Sequence, residues 1–251
     1  MLTSVKNSSE IAAMRESGRM LATVLDILSK GSTVGMTTKD LANIAAKELK
    51  SLGGMPAFLG YQGFPDVLCT SINQEVVHGI PSVNRVLKEG DIVSLDFGVI
   101  YKGMITDGAI SLLVGKPLSQ KHVDLVKYTE QSLLSGIAAV KDGVRTGDIG
   151  AAVEAELNKH HYGIVRDLVG HGVGHELHED PNIPNYGRAN TGARLKKHMT
   201  IAIEPMSTLG SDRVYVANDG WTVQTWDDSR SAHFEHTVLI KDNDAEILTV
   251  V

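Results

Sequence analysis

Between residues 8 and 30, Ile11, Met14, Leu21, Val24, Ile27 and Leu28 recur at helical spacing. A period near 3.6 gathers them on one face of an amphipathic helix, with Ser8 or Ser9 as the expected cap of its first turn. A second helix is expected from Thr37 to Leu52, with Leu41, Ile44, Ala45, Leu49 and Leu52 on one face and Gly53 as its stop. The pattern then changes. After a Gly- and Pro-bearing stretch, "DIVSLDFGVI" (91–100) and "MITDGAISLLV" (104–114) read as strands joined by a Lys102-Gly103 turn. Helical spacing returns from about Gln120 to Val140 and from Gly147 to Lys159. Strand-like runs, "IVRDLVG", "MTIAIEP", "RVYVAN", "WTVQT", "AHFEHTVLI" and "AEILTVV", close the chain. Helices precede strands twice, which predicts an α+β fold rather than a regular βαβ alternation.

That order prompts a search for an internal repeat. A shift of 108 residues lays "GMTTKDLANIAAKEL" (35–49) over "GVRTGDIGAAVEAEL" (143–157), with Gly35/Gly143, Thr38/Thr146, Asp40/Asp148, Glu48/Glu156 and Leu49/Leu157 identical. The same shift carries "DIVSLD" (91–96) onto "MTIAIE" (199–204), so Asp96 falls on Glu204. A shift of 93 brings "VVHG" (76–79) onto "VGHG" (169–172), placing His78 over His171. Acid pairs with acid and histidine with histidine. The expectation is a single domain over 1–251 with two similar halves, roughly 8–115 and 119–251, related by a pseudo-two-fold axis, with polar groups from both meeting in the middle.

Composition narrows the chemistry. The chain has 251 residues, of which 42% are hydrophobic, enough for a sizeable core. Its net charge is −6 and its Lys and Arg are scattered, so no basic stripe marks it as a nucleic-acid binder. The first twenty residues lack the apolar core of a signal peptide, and no run of about 18 apolar residues occurs to span a bilayer. A cytoplasmic location without membrane contact is expected. The lone cysteine, Cys69, rules out an intramolecular disulfide and any zinc site built from several thiolates. Its surroundings, "DVLCTSI", read as a buried strand, which favours a structural thiol over a nucleophile.

Any metal must therefore rest on His, Asp and Glu, and four acids stand out. Asp96 ends "IVSLD", Glu204 ends "MTIAIE" before Pro205, Asp107 sits in "MITDGAI" and Glu235 in "AHFEHTVLI". Strands this apolar are buried on at least one face, where an unpaired carboxylate costs several kcal/mol. A distant salt bridge could serve any one of them. Four together with a histidine call for a shared cation cluster, commonly two divalent ions about 3.5 to 4 Å apart. Mostly oxygen ligands with one imidazole suit manganese, iron(II), cobalt or zinc about equally well, so the metal's identity stays open.

"GHGVGHELHEDP" (170–181) looks at first like a zinc-protease helix. That motif needs H-E-x-x-H, with its histidines one helical turn apart. Here His178 follows His175 one residue too early, and Gly170, Gly172 and Gly174 would each cost about 1 kcal/mol in a helix interior. An extended run fits better, with His171 and His178 reaching a site from separate points and His175 left as a loop bystander. "LVGKPL" is no phosphate-binding loop, and no G-x-S-x-G elbow occurs.

Asp96, Asp107, His171, Glu204 and Glu235, in that order and spacing, resemble the five metal ligands of the methionine aminopeptidases, which share the creatinase or "pita-bread" fold. "INQEVVHGIP", "LKEGDIVSLDFGV", "GHGVGHELHEDP", "IAIEPM" and "FEHT" each match a family motif, so the resemblance covers essentially the whole chain. Glu204 and Glu235 are 31 residues apart, which leaves no room for the helical insertion of the second type. No long segment precedes the first helix where eukaryotic cytosolic enzymes of the first type carry a zinc-binding extension, so a bacterial-style type I enzyme is expected.

The resemblance implies removal of the initiator methionine when the next residue is small, with two divalent metal ions (cobalt, manganese, iron(II), zinc or nickel). It implies that Asp107 and Glu235 bridge both ions, that Asp96 completes one site, and that His171 with Glu204 completes the other. The ions would activate a water to attack the first peptide carbonyl. Glu204 would pass the proton toward the departing amine, while His78 and His178 hydrogen-bond the substrate and stabilise the oxyanion. Tyr61, Phe64, Cys69 and Trp221 match positions that line the methionine side-chain pocket. Leu177 stands where a phenylalanine is usual, Phe58 where a cysteine is usual and Gln62 where a histidine is usual, which bears on pocket shape and inhibitor response. The implied partners are peptide and nascent-chain substrates near the ribosome, and a monomer is the default. The rivals are a prolyl-specific relative, which usually carries a large extra N-terminal domain, and a metal-free binding module, against which the full ligand set stands.

Overall fold

The computed structural model describes residues 5–251. Helix α1 (Ser8–Gly31) starts as expected, but its cap is Asn7 rather than Ser8 or Ser9. Asn7 Oδ1 accepts from the backbone N–H groups of Ser9 and Glu10, and the Glu10 carboxylate accepts from Asn7 N at 2.8 Å. Glu10, three residues after Asn7, completes a reciprocal capping box, and this leaves both serines inside the first turn. Helix α2 (Thr38–Leu52) has the same box from Thr37 and Asp40, and it ends on Gly53 in the left-handed region at φ 84°. Helices α3 (Gln120–Ala138) and α4 (Thr146–Asn158) complete the set.

In chain order the strands are β1 (Met55–Pro56), β2 (Cys69–Ile72), β3 (Glu75–Val77), β4 (Ile92–Tyr101), β5 (Met104–Leu113), β6 (Gly163–Ile164), β7 (Gly170–Gly172), β8 (Glu179–Ile183), β9 (Thr200–Ile203), β10 (Met206–Thr208), β11 (Val214–Val216), β12 (Val223–Thr225), β13 (Ser231–His233), β14 (Glu235–Ile240) and β15 (Ala245–Ile247). Nine form one sheet in the order β1-β4-β5-β14-β9-β7-β8, with β2 paired to β4 and β15 to β14. Two three-stranded sheets, β13-β10-β6 and β11-β12-β3, complete the architecture, which is α+β as expected. Lys102 and Gly103 both have positive φ, which gives the β4–β5 hairpin a turn whose twist matches its strands.

Alternation along the strands decides which face holds the core. Val93, Leu95, Phe97 and Val99 of β4 pack with Leu21, Val24, Leu41 and Leu49 of α1 and α2. Ile201 and Ile203 of β9, with Val238 and Ile240 of β14, pack with Leu133, Ile149 and Val153 of α3 and α4. The intervening residues point away from these helices. Among them are Asp96 on β4 and, one step past β9, Glu204.

The contacts around the start of α2 recur 108 residues later around α4. Gly35 N donates to Leu87 O and Leu87 N to Met36 O, just as Gly143 N donates to Leu195 O and Leu195 N to Val144 O. Thr38 N donates to Arg85 O, and Thr146 N to Ala193 O. The isolated bridges Thr37–Val86 and Arg145–Arg194 follow the same shift. Among the described residues, no helix is long and apolar enough to cross a membrane.

Candidate active site

Strand register brings the acids together. Cys69, Asp96, Ala109 and Glu235 stand opposite one another in a row across β2, β4, β5 and β14. Asp107 lies two residues before Ala109, on the same face of β5. His236 pairs with Ile203, so Glu235 is level with Glu204, and His171 pairs with Ala202 two residues before Glu204. All five residues thus project from one face of the sheet. Gly170 makes the approach of β7 possible, since a Cβ there would lie 2.4 Å from Ala202 O.

Ligand-capable atoms of Asp107, His171 and Glu235 all lie within 4.8 Å of one another, and so do those of Glu204, His233 and Glu235. Asp96, Asp107 and Glu235 are each no more than 8% exposed. Among the described residues, no Lys or Arg forms an ion pair with these acids or with Glu204. Burial, reinforced by neighbouring carboxylates, pushes Asp96, Glu204 and Glu235 well above the ordinary carboxylate range, and burial raises Asp107 to about 7. Asp96 Oδ1 and Glu235 Oε1 are buried without a hydrogen-bond partner, a cost of about 1–3 kcal/mol each if nothing else engages them. Bare buried carboxylate oxygens beside an imidazole nitrogen fit divalent cations.

His171 is prepared for the same role. Its Nδ1 lies 2.9 Å from Gly172 O, and a carbonyl can only accept, so Nδ1 carries the proton. Nε2 is left with its lone pair facing the cluster, 3.5 Å from Glu204 Oε1. Burial lowers His171 to about 3 and His78 to about 4, so both rings are neutral near pH 7. Asp107 is anchored through its backbone: its N–H donates to Thr237 Oγ1, whose hydroxyl donates back to Asp107 O.

The acids open onto a cavity of about 340 Å³. His78, His178, Tyr61, Phe64, Cys69 and Trp221 line it together with the five expected ligands. Phe58, Gln62 and Leu177 complete its wall, and Phe58, Phe64, Cys69 and Leu177 form one buried apolar cluster. Phe64 meets Trp221 edge to face at 5.2 Å between ring centroids. Tyr61 Oη lies 2.8 Å from His178 Nδ1, and the His178 ring is 4.2 Å from that of His171. His78 has φ 60°, a strained backbone held by its surroundings. Burial and the adjacent acids raise the Cys69 thiol well above its usual range, which makes it a wall rather than a nucleophile.

His175 is exposed and outside the cavity, where its Nε2 contacts Glu10 Oε1 at 2.9 Å. Reading the sequence missed His233, whose ring is buried beside Glu204. Its position two residues before Glu235 was the available signal, because alternate residues of an extended run share a face. The chain passes from β13 to β14 between the two, which obscures that relation.

The sequence pattern of metallopeptidase family M24 matches residues 12–242. The chain belongs to metallopeptidase family M24. Within M24 it is 44% identical to the methionine aminopeptidase of Clostridium acetobutylicum and to methionine aminopeptidase 1 of Bacillus subtilis, with 98% of each chain covered in both cases. The crystal structure of methionine aminopeptidase from Thermotoga maritima matches at a TM-score of 0.98 and 44% identity, with both chains covered in full. Prolidase from Pyrococcus furiosus shares the M24 fold at a TM-score of 0.80 and 23% identity, and the match takes in 98% of this chain and 65% of the prolidase.

Proposed function

We propose that this chain is a bacterial-style type I methionine aminopeptidase that removes the initiator methionine from proteins whose second residue is small. The observation that carries the reading is a single cavity in which an uncompensated acid cluster meets an apolar wall. The donor set would suit two divalent ions: ligand-capable atoms of Asp107, His171 and Glu235 lie within 4.8 Å of one another, and Glu204 and Asp96 line the same cavity. Asp107 and Glu235 would be shared between the ions, Asp96 would complete one site, and His171 with Glu204 would complete the other. When bound, such ions polarise a carbonyl and supply an activated water at neutral pH.

The chain's own residues do the rest. Phe64, Trp221, Tyr61 and Cys69 form an apolar slot that suits a flexible thioether and orients the first residue of the peptide. His78 and His178 donate to the scissile carbonyl as negative charge develops on its oxygen. Glu204 carries a proton to the departing amine. The whole chain acts as one catalytic domain in the cytoplasm, a monomer working on nascent chains near the ribosome. Cobalt, manganese, iron(II), zinc and nickel all suit these ligands.

Hydrolysis of Met-Gly-Met is compared with that of Xaa-Pro peptides, with defined metals and after chelation. The reading expects cleavage of the methionine peptide, loss on chelation and recovery on re-addition of metal. Preference for the proline bond would identify a prolidase-like enzyme instead. Activity indifferent to chelation would exclude the metal mechanism.

A further inference from the structure

His233 has a place in this site beyond the five ligands. Its side chain is 1% exposed, and both ring nitrogens are buried without a hydrogen-bond partner. A neutral imidazole left this way loses one donor and one acceptor interaction, a cost of about 1–3 kcal/mol for each group. The backbone fixes where the ring sits. His233 N donates to Ser111 Oγ at 2.9 Å, the same hydroxyl donates to His233 O at 2.8 Å, and His233 pairs with Met206 in β10. Among the described residues, the carboxylate oxygen within 4 Å of a ring nitrogen is Oε2 of Glu204, 3.6 Å from Nε2.

The two oxygens of Glu204 therefore face two different imidazoles. Oε1 faces His171 Nε2, which has no proton to give because His171 Nδ1 is the protonated nitrogen. Oε2 faces His233 Nε2, and neither nitrogen of that ring is committed elsewhere. We propose that His233 is a positioning residue that donates from Nε2–H to Glu204 Oε2, holding that oxygen so that Oε1 is presented with His171 toward the metal side. The present separation exceeds a normal N–H···O distance by about 0.7 Å, which a small rotation of the glutamate side chain closes. The inference rests on the proposed role of Glu204 as ligand and proton carrier. A direct metal bond from His233 is the competing arrangement.

Three measurements decide between them: steady-state kinetics of His233→Leu and His233→Gln on Met-Gly-Met, ¹⁵N NMR of the His233 ring in the wild-type protein, and pulsed EPR of the Mn(II)-loaded protein. Loss of the donor in His233→Leu is expected to lower kcat by about 10–100-fold with KM within about twofold, because the residue acts through Glu204 and not on the peptide. Glutamine offers an N–H donor but is a poor substitute for a ligating imidazole, so His233→Gln is expected to recover most of kcat. NMR is expected to find the proton on Nε2, and EPR to find one coordinated imidazole, both in the wild type and in His233→Leu.

A proton on Nδ1, a second coordinated imidazole in the wild type, or normal kcat in a folded His233→Leu protein would each overturn the proposal. The spectroscopic readouts use the wild-type protein, so they decide the matter even if a variant fails to fold. They also need no peptide. A wild-type protein inert toward Met-Gly-Met would sink the proposed activity while leaving the His233 result readable.

Discussion

At one end of the cavity the candidate ligands stand on or directly beside paired strands, and at the other, with Cys69 on β2 as the exception, the lining side chains stand on turns and loops. Asp96, Asp107, His171 and Glu235 belong to β4, β5, β7 and β14, and Glu204 follows directly on β9. Tyr61 sits in a single turn at Tyr61–Gly63, Leu177 and His178 lie between β7 and β8, and Trp221 lies between β11 and β12. The sheet fixes the acids through shared backbone hydrogen bonds, so their spacing cannot drift separately. The apolar wall is held by local turn hydrogen bonds and by side-chain packing, and its side chains can accept exchanges of similar volume. Phe58, Gln62 and Leu177 all lie in that wall. The rigid end suits the chemistry, and the adaptable end suits selection of a side chain.

Glu204→Ala tests the acid end hardest. Turnover of Met-Gly-Met should fall about 10²- to 10⁴-fold, and further if metal is lost as well. Calorimetric titration with Mn(II) separates the two contributions, and near-normal turnover would mean that Glu204 carries no proton. At the apolar end, Leu177→Ala should lower kcat/KM by about 10–100-fold, chiefly through KM, because it removes wall contact from the bound side chain. Metal affinity should stay unchanged in the same variant. A fall in metal affinity would show that the two ends are not separable.

The smallest expected effect is on stability. Asp107 is raised to about 7 by burial, against an ordinary value of 3.8, and Asp96, Glu204 and Glu235 are raised in the same direction. Folded protein without metal therefore holds more protons than unfolded chain, so its stability falls as pH rises through this window. Bound divalent ions remove the penalty. The melting temperature of metal-free protein should drop between pH 5 and about pH 8, and the increment on adding Mn(II) should grow over the same range. A constant increment would show that the acids do not meet the metal.

The helices and long strands were legible in the sequence because each has a single dominant period and local stops such as Gly53 and Lys102-Gly103. The cap of α1 was misplaced by one or two residues because Asn7 competed with two serines, and the partner of Glu10 decided it. The acids were legible because a carboxylate at the end of an apolar strand conflicts with its surroundings. Tyr61, Phe64 and Trp221 carried no such conflict, and they were placed only through their match to family motifs. His233 was overlooked for a related reason: a histidine among apolar residues reads as core until its missing partners can be counted.

The sequence by itself determined the periods, the turns, the stock of acids and histidines, and hence the need for cations, because these depend on residue type and near neighbours. Tertiary structure decided which strands adjoin, and so which acids share a face. It also decided which nitrogen of His171 is free and which histidine stands behind Glu204. These outcomes rest on strand register and on contacts between segments that are separate in the chain, such as β5 with β14, and a one-residue slip would turn each carboxylate toward the helices.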